Sequence, residues 1–394
     1  MVIKVRARLA ARCVTVLVVF AAGLTLPVIH AAAVSGTAWK QEHFDSGRSG
    51  FNPIETTLSR GNVGTLVVKW STSVHVRVQA SPVVAAGIIY AAGGDLNDPS
   101  ASHAVALDAA TGNVLWTAKQ PNAGDAPGIA VCNGRVFVST LFDHALRAYD
   151  AGTGALLWTL HADGAVGSPT LGRGHLYIQT NVGTVYAVDP ASGAIVWQRS
   201  FAERPDSSPA VYRGWLFVAG HSSRKIRALD ADDGRVRWER TLPDFTESSP
   251  TVVDGIVYES VATAGTYALS AASGALVWHR GTPDAVVSPV SVDDSSAYVG
   301  DVDGVLYAFD RATGQPRWSR ALGGRFGNIN SPVVANGVVY AATTGIFALD
   351  AGSGKQLWSG PTGTVGSDPA VLDGVLYVGD FDGNLRAFHL PSSN

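Results

Sequence analysis

Past residue 33 the chain is a succession of short apolar runs broken by Gly, Asn, Asp and Ser, and none of them sustains a 3.6-residue period. The local unit is clear in Ser331-Pro-Val-Val-Ala-Asn-Gly-Val-Val-Tyr340, where two apolar stretches meet at an Asn-Gly pair. That arrangement predicts a β-hairpin with a tight two-residue turn. Phe347-Ala-Leu-Asp350 predicts a third strand, and Gln356 to Trp358 opens a fourth. Between them Asp350 and Gly354 bracket a turn in which the carboxylate bonds nearby backbone and Gly takes positive φ. The pattern predicts four short strands per unit and almost no helix.

The unit repeats. The segment A-x-D-x-x-[TS]-G-x-x-x-W occurs seven times, with Ser270 for the Asp in one unit and Asp233 for the [TS] in another: Asp108…Trp116, Asp150…Trp158, Asp189…Trp197, Asp230…Trp238, Ser270…Trp278, Asp310…Trp318 and Asp350…Trp358. Successive tryptophans are 42, 39, 41, 40, 40 and 40 residues apart. A second marker, usually Ser-Pro, recurs at Pro82, Pro127, Pro169, Pro209, Pro250, Pro289, Pro332 and Pro369. Eight Pro markers against seven complete Asp-Gly-Trp units leave one Trp strand missing at the C-terminal end. Trp70, in Gly64-Thr-Leu-Val-Val-Lys-Trp70, supplies it from the N-terminal side. Four antiparallel strands per ~40 residues, eight times over, predict an all-β, eight-bladed β-propeller, closed by the Trp70 strand joining the last blade. The expected structural tryptophans are Trp70, Trp116, Trp158, Trp197, Trp238, Trp278, Trp318 and Trp358.

Composition changes this picture little. Charged residues are 15 % of the 394, apolar ones 46 %, and there are 44 Gly and ten Trp. This excludes disorder and coiled coil, and a formal charge of −3 offers no pull toward nucleic-acid phosphates. The first 33 residues read differently. Lys4, Arg6, Arg8 and Arg12 precede an apolar run from Cys13 to Ile29, and Ala31-Ala32-Ala33 follow, the layout of a secretory signal peptide. An uncleaved anchor is the alternative. If the segment is removed, four cations and no carboxylate leave with it, and the charge moves from −3 to −7. The expected organisation is a signal at 1–33, a lead-in at 34–65, the propeller at 66–390 and a tail at 391–394. The mature chain keeps one cysteine, Cys132, read as a small hydrophobe in a strand.

The repeat resembles the tryptophan-docking unit of the pyrroloquinoline-quinone (PQQ) propeller family rather than the WD40 type, over about residues 66 to 390. The lead-in Glu42-His-Phe-Asp-Ser-Gly-Arg-Ser-Gly-Phe-Asn-Pro53 resembles that of exported members. The resemblance implies one of two functions. Some members are quinoprotein dehydrogenases with PQQ and Ca²⁺ in the central funnel; others resemble BamB, an outer-membrane assembly protein that binds partners and has no cofactor. This chain has neither the adjacent cysteines of the alcohol-dehydrogenase members nor the C-x-x-C-H of the haem-fused ones. Its one notable insertion is Gly93 to Ser102.

The loops before the Pro markers are expected to rim the channel. They carry Arg77, Asp125, Asp163, Asp206, Glu247, Asp284, Arg325 with Asn328 and Asn330, and Asp368, an acidic mouth with Arg at one side. Converging charges in a funnel would suit a cation or a polar ligand, though ordinary polar loops look the same. Gly300-Asp-Val-Asp-Gly304 and Gly379-Asp-Phe-Asp-Gly383 read as hairpin turns rather than calcium loops, and His144 and His221 as solvated loop residues. Trp215 lies off the repeat register, as a contact residue or as packing between blades. H-E-x-x-H and G-x-S-x-G motifs are absent. The preferred expectation is an exported, monomeric, non-catalytic propeller without metal or cofactor, secreted or held in the periplasm or cell envelope. It would bind a protein or polymer partner, and neither nucleic acid nor, once the signal is gone, membrane. The alternative is a PQQ- and Ca²⁺-dependent dehydrogenase of an alcohol or sugar.

Overall fold

The computed structural model describes residues 38–392 except 96–97, 121, 206, 324–329 and 362. The signal-peptide reading therefore lies outside the described residues. Among the described residues no helix is long and apolar enough to cross a membrane. Eight sheets follow one another along the chain, each built on four antiparallel strands in sequential order. Blade 1 spans Val83–Lys119, blade 2 Ile129–His161, blade 3 Thr170–Ser200 and blade 4 Ala210–Thr241. Blades 5, 6 and 7 span Thr251–Arg280, Ser291–Ala321 and Val333–Gly360. Blade 8 takes three strands from Ala370–His389, and its outer strand is Val67–Ser73, paired antiparallel with Asn384–His389. The ring closes through Trp70, as the repeat count requires.

The two inner strands of seven blades are joined by a residue at φ of about +50° followed by a Gly at positive φ: Ala86-Gly87, Asn133-Gly134, Arg173-Gly174, Arg213-Gly214, Asp254-Gly255, Asn336-Gly337 and Asp373-Gly374. Two left-handed residues in a row make the type I′ turn whose twist matches the strands it joins. These turns define the lower face; the loops leading to the Pro markers define the upper.

Neighbouring blades are joined by one recurring device. Each outer strand bulges by one residue just before its Trp, as where Leu107 pairs with Val114 but Ala106 with Trp116. The bulge turns the indole toward the next blade. There its Nε1–H donates to a backbone carbonyl at the Asp-Gly turn, over 2.8 to 3.3 Å at Trp70, Trp116, Trp158, Trp197, Trp238, Trp278 and Trp318. The ring face lies on the Gly of that turn. A Cβ at Gly112, Gly154, Gly193, Gly234, Gly274, Gly314 or Gly354 would fall 2.6 to 2.8 Å from the docked indole. Both the positive φ and the contact demand glycine. Blade 8 has no such turn, and Trp358 instead donates to the Leu66 carbonyl at 3.0 Å, just after the 3₁₀ turn Val63–Thr65. Trp215 packs within the wall, stacked on Phe217 at 6.4 Å and packed against the cluster between blades 4 and 5.

We expect Trp278→Ala to cost roughly 3–5 kcal/mol, chiefly through the cavity it leaves, since the Arg311 carbonyl keeps the Tyr258 hydroxyl as a donor. Gly314→Ala, which drives a methyl into the same indole at φ +68°, should cost about 1–3 kcal/mol. Calorimetric melting checks both, and unchanged midpoints would contradict the docking account.

Candidate functional site

The axis is built from the residue before each inner-strand proline: Ser81, Ala126, Ser168, Ser208, Ser249, Ser288, Ser331 and Asp368. These side chains link blade to blade. The Ser168 N–H donates to Ser208 Oγ at 3.0 Å, and the Ser208 N–H to Ser249 Oγ at 2.9 Å. The Ser331 N–H donates to Asp368 Oδ1 at 2.8 Å, and the Asp368 N–H to Ser81 Oγ at 3.3 Å. Asp368 is the one carboxylate in this ring.

The lead-in fills the channel from below, meeting the eight blades in order. Trp39 pairs with Val84 of blade 1, and the Lys40 carbonyl accepts from the Val131 N–H of blade 2 at 2.7 Å. Gln41 Oε1 accepts from the Leu171 N–H of blade 3 at 2.6 Å. The Ser46, Gly47, Ser49 and Gly50 carbonyls accept from Val211, Val252, Val292 and Val334 of blades 4 to 7, over 2.6 to 2.8 Å. Asn52 Nδ2 finally donates to the Val371 carbonyl of blade 8 at 2.7 Å. Each inner edge, which the ring alone would leave unpaired, is thus satisfied by a different residue of one segment. The tour needs tight corners: His43, Phe44 and Arg48 have φ of 59°, 73° and 59°. Such left-handed non-glycine residues persist only where their surroundings over-determine them.

The plug carries charge to the axis. Arg48, 1 % exposed, pairs with Glu42 at 3.0 Å, and His43 Nε2 lies 3.2 Å from Asp368 Oδ2. Burial alone would raise the Asp368 carboxyl. The hydrogen bond and charge of His43, with the Ser81 hydroxyl, outweigh it and hold Asp368 below the usual range. One atom each of Glu42, His43 and Asp368 lies within 4.8 Å of the others, which makes them the candidate metal cluster among the described residues. Glu42, Glu247, Asn330 and Asp368 line the cavity of about 250 Å³ that remains at the axis.

The expected rim residues separate into groups. Glu247, Asn330 and Asp368 come together around that axial cavity. Arg77 stacks over Phe381 at 4.4 Å and influences Asp125, whose buried carboxyl is raised by desolvation and partly restored by Gln79 and Arg77. Asp163 accepts from Thr180 and Thr184 within its own blade. Asp284 is fully exposed and is raised chiefly by the neighbouring charge of Asp303. Asp206, Arg325 and Asn328 lie outside the described residues. The residues that sequence reasoning missed are Glu42, His43 and Arg48. Their signal was a charged run in a Gly- and Ser-rich lead-in of an otherwise charge-poor chain. Asp301 and Asp380 accept from the backbone N–H groups of Val305 and Asn384, so both Gly-Asp-x-Asp-Gly segments are turns.

The donor set at the axis does not fit the family's cofactor pair. PQQ is a flat quinone bearing three carboxylates, and the axial cavity is smaller than the ~300 Å³ at which small-molecule sites begin. It also presents the carboxylates of Glu42, Glu247 and Asp368. Ca²⁺ takes six to eight oxygens, whereas here an imidazole sits on one carboxylate and a guanidinium on the other.

Fold and axis together define an eight-bladed propeller of the PQQ-like repeat class. Residues 28–127, 100–186 and 181–392 match the family described as outer membrane protein assembly factor BamB, and the chain belongs to that family. The chain is 28 % identical over 192 residues to the dehydrogenase subunit of a quinone alcohol dehydrogenase from Komagataeibacter europaeus, covering 40 % of this chain and 24 % of that protein. It is 26 % identical over 157 residues to BamB of Xanthomonas campestris pv. campestris, covering 38 % and 37 %. The chain thus spans well under half the length of these relatives. Among solved structures, BamB from Moraxella catarrhalis aligns with TM-score 0.68 at 19 % identity, over 82 % of this chain and 99 % of that one. Quinohemoprotein alcohol dehydrogenase from Comamonas testosteroni aligns with TM-score 0.75 at 16 % identity, over 92 % and 82 %. At these identities the likeness is one of fold.

One more carboxyl stands out near the ring. Glu259 follows Tyr258 on the second strand of blade 5, where the other blades place Ala91, Val138, Ile178, Val218, Val299, Ala341 and Val378. It is fully buried; Oε1 accepts from the Thr246 and Ser248 hydroxyls, and Oε2 has no partner. Desolvation pushes its pKa up to about 8 from the ordinary 4.5, against those two hydrogen bonds. Between these values the folded chain holds a proton that the unfolded chain releases, so stability falls as pH rises from 4.5 to about 8 and levels beyond. Glu259→Gln should remove up to roughly 1.4 kcal/mol per pH unit of that slope. Urea unfolding of both proteins at several pH values checks this, and an identical slope in the variant would contradict it.

Proposed function

We propose that this chain is an exported, non-catalytic propeller that binds a protein or polymer partner, a reading supported by its membership of the family described as an outer membrane protein assembly factor. The observation that carries the reading is the plug. The segment Ala38–Asn52 occupies the channel and pairs with all eight inner edges. Within it Arg48 is matched to Glu42, and His43 to Asp368. A funnel committed in this way leaves the upper loops and blade edges as the surfaces available to a partner. Protein and glycan partners bind such surfaces without needing a reactive centre, and fold by itself selects neither chemistry nor partner.

The dehydrogenase reading draws on the quinone-dependent relatives. The two separate in one assay on the purified protein. PQQ and Ca²⁺ are titrated in while quinone absorbance is followed, then dye reduction is measured with a panel of alcohols and sugars. We expect no saturable quinone uptake and no dye reduction above the protein-free rate. Dye reduction that disappears in Glu247→Gln would overturn the binding reading.

A further inference from the structure

A second cavity opens on the upper face between blades 2, 3 and 4, reaching the axial ring at Ser168, Ser208 and Ser249. It encloses about 590 Å³, inside the ~300–1,000 Å³ range of small-ligand sites. One wall is aromatic and unusually presented. Phe142 is 49 % exposed, yet it is held rather than loose. Its N–H donates to the Ala123 carbonyl at 3.0 Å, and the preceding Leu141 N–H to the Asp125 carbonyl at 3.1 Å. One face of its ring lies flat on Gly124, at φ +64°, where a Cβ would come within 2.7 to 3.0 Å of the ring carbons Cγ, Cδ2 and Cδ1. Only glycine permits that contact, and it leaves the opposite ring face open beside the cavity.

The other wall donates hydrogen bonds. Asn181 Oδ1 accepts from the Ala165 N–H at 3.0 Å, which leaves the amide N–H groups of Asn181 to donate. Ser208 and Ser249 each accept a backbone N–H through Oγ, at 3.0 and 2.9 Å, so their hydroxyl protons are left to donate. Arg204 also borders the space. A flat, immobilised apolar platform opposite a wall of amide and hydroxyl donors matches the two-sided chemistry of a sugar ring. The ring's C–H face stacks on the aromatic plane while its rim oxygens accept hydrogen bonds. An extended peptide would instead want an open strand edge or a deep apolar hole. The described lining holds neither, being made of loop residues and the ends of paired strands.

We propose that this cavity is a glycan-binding site in which Phe142 stacks on a sugar ring and Asn181, Ser208 and Ser249 donate to its hydroxyl oxygens. The assignment rests on the binding reading above and names the polymer: a polysaccharide, held without chemistry. The test is isothermal titration of the full chain with cellohexaose, chitohexaose, mannohexaose and hexagalacturonate, with unfolded casein as the polypeptide probe. At least one hexasaccharide should bind with Kd at or below about 1 mM, and Phe142→Ala should weaken it by about tenfold or more. Asn181→Ala should weaken the same sugar, while Arg235→Ala, on the opposite face, should not. Both cavity residues are exposed, so the variants should melt as the parent does. No sugar binding at about 5 mM, or binding indifferent to both cavity variants, would overturn the site. Casein binding lost in Phe142→Ala, without sugar binding, would overturn the glycan and leave the binding reading standing. Sugar binding accompanied by PQQ-dependent dye reduction would do the reverse.

Discussion

The indole that each blade lends to the next is the contact on which the ring depends. A four-stranded blade has two apolar faces and can cover neither alone, so its stability is borrowed from its neighbours. The docked Trp supplies that loan in three coupled parts. A bulge aims it, the glycine of the next turn receives its face, and a carbonyl of that turn accepts its N–H. The turn is itself held by its Asp, whose Oδ1 gathers the following N–H groups, as Asp108 does for Ala110 and Thr111. In blades 1, 3, 5 and 6 a tyrosine hydroxyl of the same blade meets the same carbonyl, Tyr90 joining Trp116 at Ala151 for example. The contact is directional, and a closed set of such contacts has no first or last member.

Closure forces the two irregular blades. Blade 8 lacks its own Trp strand and its own receiving turn, and one continuous stretch supplies both: Val67–Ser73 brings Trp70, and the Leu66 carbonyl receives Trp358. The same stretch is tied down on its way from axis to rim. Glu55 Oε2 accepts from the Gly374 N–H at 3.0 Å, and the Leu58 carbonyl accepts from Asn336 Nδ2 at 2.9 Å. Plug, strut and closing strand are therefore one piece of chain, and the axis and the outer rim are mechanically linked through it.

Much of this was legible in the sequence, because local chemistry repeats and repetition averages out ambiguity. The Asn-Gly hairpins, the Asp-Gly turns and the missing eighth Trp strand all follow from spacing. The plug does not, because its bonds join residues as far apart as Asn52 and Val371, and no periodicity encodes such a contact. For the same reason Asp368 could be placed beside the channel from its Pro marker, whereas its partner His43 could not. Residue type also misleads at single positions. Asp163 and Asp368 precede their blades in similar loops, yet one carboxylate serves two threonines of its own blade and the other the axis. Glu259 is legible once the blades are aligned, as a carboxyl standing where seven others are aliphatic.

The plug also sets an order of events. Residues 38 to 73 find their partners in Val371 and the strand Asn384–His389, about three hundred residues further along the chain. Until the final blade exists, the inner edges have nothing to cover them and the ring has no seam to close. Closure must therefore wait on pairings between distant stretches of chain, at the cost in speed that long-range pairing carries.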